Sequence, residues 1–150
     1  MKLQLLIIFL LSLTLVNAAL IEDTTEYVNN YSGVEVGKLS FTLPIRIGIK
    51  TLDTNENFIL ILNKQGKLEL KDSGKADIVF FGTADDFRTL LSVQEDDDLA
   101  KVITKFQIQA RTFKGNILIN ILERELDVKF NVNKSFSYRL ANIVTGLFFV

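Results

Sequence analysis

The sequence predicts a single α+β domain, on three observations. Apolar residues recur at every second position from Phe41, the period of half-buried strands, and the pattern of short strands and turns continues to Phe81. From Thr83 the spacing shifts to that of helices. No repeat, Pro- or Ser-rich linker or low-complexity tract divides residues 40–150. A chain of 150 residues that is 48% hydrophobic can bury one core of its own.

Before the first strand, Met1-Lys2 is followed by an uncharged run from Leu3 to Ile21. One basic residue, a short apolar stretch and then Val16-Asn17-Ala18 fit a secretory signal cleaved after Ala18. The alternative is an uncleaved membrane anchor through residues 3–21, which just reach spanning length. Either reading puts the domain on the exported side of a membrane. Residues 19–40 then read as a linker or a short first helix, and residues 41–150 as the domain.

The strands follow in order. Phe41, Leu43, Ile45, Ile47 and Ile49 alternate with polar or small residues, and Pro44, which cannot donate to a ladder, places the strand at an edge or its start near that point. Asp53-Thr54-Asn55-Glu56-Asn57 is a turn, and Phe58 to Leu62 is an apolar run of strand length, the mark of a strand covered on both faces. Turns at Asn63–Gly66 and Asp72–Lys75 flank an alternating Lys67–Lys71, and Ala76 to Phe81 completes an antiparallel meander. Thr83 with Asp86 has the form of a capping box, ahead of Phe87, Leu90 and Leu91. Leu99, Val102, Ile103 and Phe106 mark a second amphipathic helix. Residues 107–114 are extended and mostly polar, Gly115-Asn116 is a turn, and Ile117 to Leu122 opens a helix apolar nearly all round, which must be buried or line something apolar. Val128, Phe130 and Val132 alternate briefly as a possible last strand, and Leu140, Ile143, Val144 and Leu147 take helical spacing in an uncharged tail.

Composition excludes whole classes of chemistry. With no His and no Cys, there is no Ser-His-Asp or Cys-His nucleophile, no His- or Cys-ligated zinc and no disulfide. A balance of 17 basic against 18 acidic residues gives no basic excess for a nucleic-acid surface. The run Glu95-Asp96-Asp97-Asp98 lacks the alternating ligands and central Gly of a calcium loop, and fits the first turn of the following helix, whose positive end it would stabilise. Glu123 and Glu125 flank Arg124 and read as solvated charges on a polar face rather than as an acid–base pair. Asp77, at the mouth of an apolar strand, reads as a strand-end acceptor of backbone amides. No catalytic residue, metal site or cofactor motif emerges.

Three short motifs in order carry a resemblance. Lys75-Ala76-Asp77-Ile78-Val79-Phe80 is similar to the Ala-Asp strand start of the sterol carrier protein type 2 (sterol-binding) domain family. Asp86-Phe87-Arg88-Thr89-Leu90-Leu91 resembles its Asp-aromatic helix start, and Phe113-Lys114-Gly115-Asn116 its strand end before a helix. The likeness covers residues 57–122; Gln109 stands where the family usually has Gly, and the ending Phe148-Phe149-Val150 is not the family's peroxisomal tail. The resemblance implies a five-stranded, mostly antiparallel sheet covered by helices, with an apolar tunnel for a lipid or fatty acyl ligand. Periodicity alone reads Phe87, Leu91, Leu99, Val102, Ile103, Phe106, Ile117 and Ile121 as core. The resemblance implies instead that they line the tunnel together with Phe113 and Leu147. The function expected is therefore non-enzymatic binding and carriage of a lipid, with a membrane contact. The alternative is a sterol-carrier-like interaction module or subunit, tethered near a membrane, whose core is filled by side chains.

Overall fold

The computed structural model describes residues 19–31, 33, 42–93, 96–132, 140 and 143–145. Along the chain run α1 (Leu20–Asn30), β1 (Ile45–Thr51), β2 (Asn57–Leu62), β3 (Leu68–Lys71), β4 (Ile78–Gly82), α2 (Ala84–Ser92), α3 (Asp96–Ile103), β5 (Gln107–Ala110) and α4 (Phe113–Glu125). The fold is α+β with a five-stranded, mostly antiparallel sheet, as expected. The leader at residues 1–18 and Leu147 lie outside the described residues.

The meander stops one strand short of the expectation. The sheet order is β3-β2-β1-β4-β5, and β4 pairs with β1 in parallel instead of returning beside β3. The strands' own polarity explains the choice. β3 carries Glu69 and Lys71, and β5 carries Gln107 and Gln109, on the side facing away from the core, so both suit edges. Ile78-Val79-Phe80-Phe81 is apolar throughout and is better shielded between two neighbours. To reach β1's free edge, residues 72–77 cross three strand spacings, about 14 Å. Six residues span at most ~20 Å, so the crossover runs nearly straight over the sheet. Gly48, in the middle of β1, makes room for it: a Cβ there would sit 3.1 Å from the Ala76 Cβ.

Register divides the sheet into two faces. Ile45, Ile47 and Ile49 stand level with Leu62, Leu60 and Phe58 on one side, and Ile47 and Ile49 with Ile78 and Phe80 on the other. These side chains build the main core with Phe87, Phe106 and Ile108. Phe106 is 4.6 Å from Phe87 and 6.0 Å from Phe80, ring centre to ring centre, and lies against Gly82, where any Cβ would strike its ring. Ile59 and Ile61 are also buried, but on the opposite face, apart from that core, so β2 is covered on both sides as its composition predicts.

Helices α1 and α2 are held at their N-termini by the turn between β1 and β2. Asp53 Oδ1 accepts from the Ala84 amide at 2.9 Å and Glu56 Oε1 from the Ile21 amide at 3.1 Å. Each carboxylate thus satisfies an orphan donor at the positive end of a helix. The expected cap at Thr83 is present, its hydroxyl accepting from the Asp86 amide at 3.1 Å. The two helices are linked by Arg88 Nε–Asp23 Oδ2 at 2.7 Å, a hydrogen bond that holds the guanidinium above its ordinary pKa. Leu20, at the end of the uncharged N-terminal run, is wholly buried in the main core. Helix α3 begins at Asp96, so the described part of the acidic run does occupy a first helical turn.

Gly115-Asn116, expected from the sequence to be a turn, lies instead inside the first turns of α4. The glycine is required by packing instead. A Cβ at Gly115 would overlap the Asp77 carbonyl oxygen, so only glycine lets α4 start against β4. Gly115→Ala should therefore lose about 3 kcal/mol of stability, read from urea unfolding followed by circular dichroism. An unchanged midpoint would show that this contact does not set the helix position. Asp53→Ala, which leaves one helix donor unmet, should cost ~1 kcal/mol in the same assay.

Candidate functional site

Helix α4 has apolar residues on more faces than one core can use, which makes it the candidate. Its start is fixed by Thr112, whose hydroxyl accepts from the Gly115 amide at 3.0 Å and donates to Asp77 Oδ1 at 3.0 Å. Lys114 Nζ reaches the Pro44 carbonyl at 2.6 Å and Asp77 Oδ2 at 3.1 Å. Asp77 is only 4% exposed and also accepts from the Arg46 amide at 3.1 Å, the strand-end role expected of it.

From this anchor the helix presents three stripes. Leu118, Ile119 and Leu122 pack into the main core beside β4 and β5. Ile117 and Ile121 form a separate apolar cluster, covered among the described residues by Val144, in the helical turn at residues 143–145. Arg124 Nη1 donates to the Thr145 carbonyl at 3.5 Å, at the long end of hydrogen bonding, on the same side. Leu140 and Ile143, in this same tail, are 43% and 62% exposed. The described residues of the tail are thus apolar towards α4, at Val144, and apolar towards solvent, at Leu140 and Ile143.

The third stripe is polar and buried: Asn116, Asn120 and Glu123, at helical spacing. The two asparagines donate to carbonyls one turn back, Asn116 Nδ2 to Thr112 at 3.3 Å and Asn120 Nδ2 to Asn116 at 2.9 Å. Glu123 is the clearest correction to the sequence reading. It is 4% exposed, not solvated; its Oε1 accepts from the Phe130 amide at 2.8 Å, and Lys129 Nζ lies 3.5 Å from Oε2. This carboxylate pins the return segment beneath α4, where Asn131 pairs with Gln107 in one isolated bridge rather than in the last strand expected around Val128–Val132. Glu125 is exposed, so the two carboxylates do not share a site. The signal for Glu123 was its i, i+4, i+7 relation to Asn116 and Asn120 within an otherwise apolar helix.

The described residues expected to line a tunnel do not share one cavity wall: most join one of two clusters, and Leu99 and Phe113 join neither. Phe87, Val102, Ile103 and Phe106 are buried in the main core, with Leu91 half-buried against it. Leu99 is half-buried on α3. Ile117 and Ile121 sit in the second cluster, and Phe113, 43% exposed, stands at the start of α4. Among the described residues no three acidic side chains converge as a metal site would require, and no helix is long and apolar enough to cross a membrane.

Two of the solved structures similar to this chain are the following. One is described as "UbiJ-SCP2 Ubiquinone synthesis protein", with a TM-score of 0.46 and 13% identity over 85% of this chain and 96% of that one. The other is sterol carrier protein 2 from Yarrowia lipolytica in its apo form, with a TM-score of 0.32 and 15% identity over 65% of this chain and 82% of that one. No family model matches the sequence, and no curated protein matches it. Neither likeness is close enough to carry a family, a ligand or a role across.

Proposed function

We propose that the chain binds and carries a lipid or fatty acyl ligand without chemical conversion, on the exported side of a membrane. The observation that supports this reading is the second apolar face of α4. Among the described residues, Ile117 and Ile121 are covered by Val144, in the helical turn at residues 143–145. A surface segment of this kind can be displaced locally, and the surface beneath it is the apolar wall that an acyl chain needs. Leu140 and Ile143, exposed in the same tail, would meet the membrane during transfer. The uncharged run from Leu3 to Ile21 supports export.

The mechanism is thermodynamic. An acyl chain of about 16 carbons leaving water gains roughly 13 kcal/mol gross. Leaving a bilayer it gains almost none of that, because it already lay in hydrocarbon. Exchange between membrane and protein is then near balance and reversible. It calls for an apolar site and a cover that opens, not for an acid, base or nucleophile.

A fluorescent fatty acid and a fluorescent sterol test the reading, with little background from a chain that has no Trp. Saturable micromolar binding by the folded chain is expected for at least one of them. No saturable binding of either returns the chain to the interaction-module reading. The double variant Ile117→Ala, Ile121→Ala should weaken binding about tenfold, from the apolar contact removed. Deleting residues 140–150 should leave the unfolding transition in place while ligand exchange accelerates and affinity falls. Loss of cooperative unfolding would instead make the tail a permanent part of the core.

A further inference from the structure

The face of the sheet turned away from the main core carries a groove of about 400 Å³ that the lipid reading does not use. Register builds its floor. Gly48 lies between Ile59 and Val79 in one row, and Lys50 between Asn57 and Phe81 in the next. The crossover from β3 passes over this floor at Gly74–Ala76 and forms one wall. Over Gly48 itself the crossover closes down, a Cβ there lying 3.1 Å from the Ala76 Cβ and from Val79 Cγ2. The volume is within the range of small-molecule pockets.

The charges around it are all of one sign. Lys50, Lys75 and Arg111 line the groove, and no acidic residue does. Each comes from a different segment: β1, the crossover, and the link between β5 and α4. None of the three makes an ion pair among the described residues, although the chain as a whole carries a net charge of −1. Lys50 Nζ is instead held 5.9 Å above the Phe81 ring. Three cations around one concavity repel one another, and an anion placed among them relieves that repulsion. An inorganic anion would leave Ile59, Val79 and Phe81 unused, and a neutral apolar molecule would leave the cations unused.

We infer that this groove is a second binding site, for an anion of the phosphate or carboxylate type joined to an apolar body. Arg111 and Lys75 would take the anionic group, and Val79, Phe81 and Ile59 the apolar part. The inference stands on its own observations, on the opposite face of the sheet from α4. It does not depend on the lipid reading.

The probe is 1-naphthyl phosphate, titrated calorimetrically into the full chain at low ionic strength, with 1-naphthol and inorganic phosphate as the two halves of its chemistry. It should bind about tenfold more tightly than either half. Arg111→Gln and Lys75→Gln should each weaken it about fivefold or more. Arg46→Gln, an exposed cation on the same face but outside the groove, and the Ile117→Ala, Ile121→Ala variant should leave it unchanged. Flotation with phosphatidylcholine vesicles, with and without phosphatidic acid, separates the sources of the anion. Recruitment by phosphatidic acid that Arg111→Gln abolishes and Arg46→Gln spares identifies a lipid headgroup. Naphthyl phosphate binding without such recruitment identifies a soluble ligand. The inference is overturned if naphthyl phosphate binds no better than its halves and the vesicles show no dependence on Arg111. It is equally overturned if Arg46→Gln weakens binding as much as Arg111→Gln, since general surface charge would then explain it.

Discussion

Asp77 stands where four parts of the fold meet, and their mutual placement depends on it. Its amide donates to the Arg46 carbonyl at 2.8 Å while its carboxylate accepts from the Arg46 amide, which closes the start of β4 onto β1. Its carbonyl accepts from the Arg111 amide at 2.8 Å, which ties in the end of β5. The same carboxylate takes the Thr112 hydroxyl and the Lys114 ammonium at the start of α4. A buried carboxylate is tolerable only with its lone pairs met, and here amide, hydroxyl and ammonium meet them together. Gly115 completes the junction by letting the helix backbone reach the Asp77 carbonyl.

This junction explains why α4 can be apolar on two sides. A helix held only by side-chain packing would turn its most apolar face inwards and expose the rest. Anchored at its N-terminus by the junction, and at its C-terminal end by the Glu123–Phe130 hydrogen bond, α4 keeps Ile117 and Ile121 directed away from the main core. The same junction ends the crossover from β3 and places Arg111 beside it, so the cationic groove is a further consequence. One polar cluster therefore orients an apolar surface on one face of the sheet and a charged one on the other.

Two carboxylates in the β1–β2 turn play the corresponding part for α1 and α2. Asp53 and Glu56 sit three residues apart, yet each caps a different helix. Thr51 supports the turn, its hydroxyl accepting from the Glu56 amide at 2.7 Å and from the Thr54 hydroxyl at 2.8 Å. Local turn chemistry made this segment recognisable as a turn; its capping role is a tertiary property.

The sequence by itself determined the class of fold, the β-to-α switch at Thr83, the doubly covered β2 and the identity of most core residues. Those features are periodicities and caps, written into neighbouring residues and governed by local sterics and burial. Tertiary structure alone decided the parallel pairing of β4 with β1, the helical place of Gly115 and the burial of Glu123. Each depends on a partner distant in the chain: the free edge of β1, the carbonyl of Asp77, the returning amide of Phe130. It also decided that the expected lining residues divide between the main core, at Phe87 and Phe106, and a second cluster at Ile117 and Ile121. Helical spacing shows that a side chain is turned away from water, but not whether protein or a displaceable cover lies opposite, because both present the same apolar stripe.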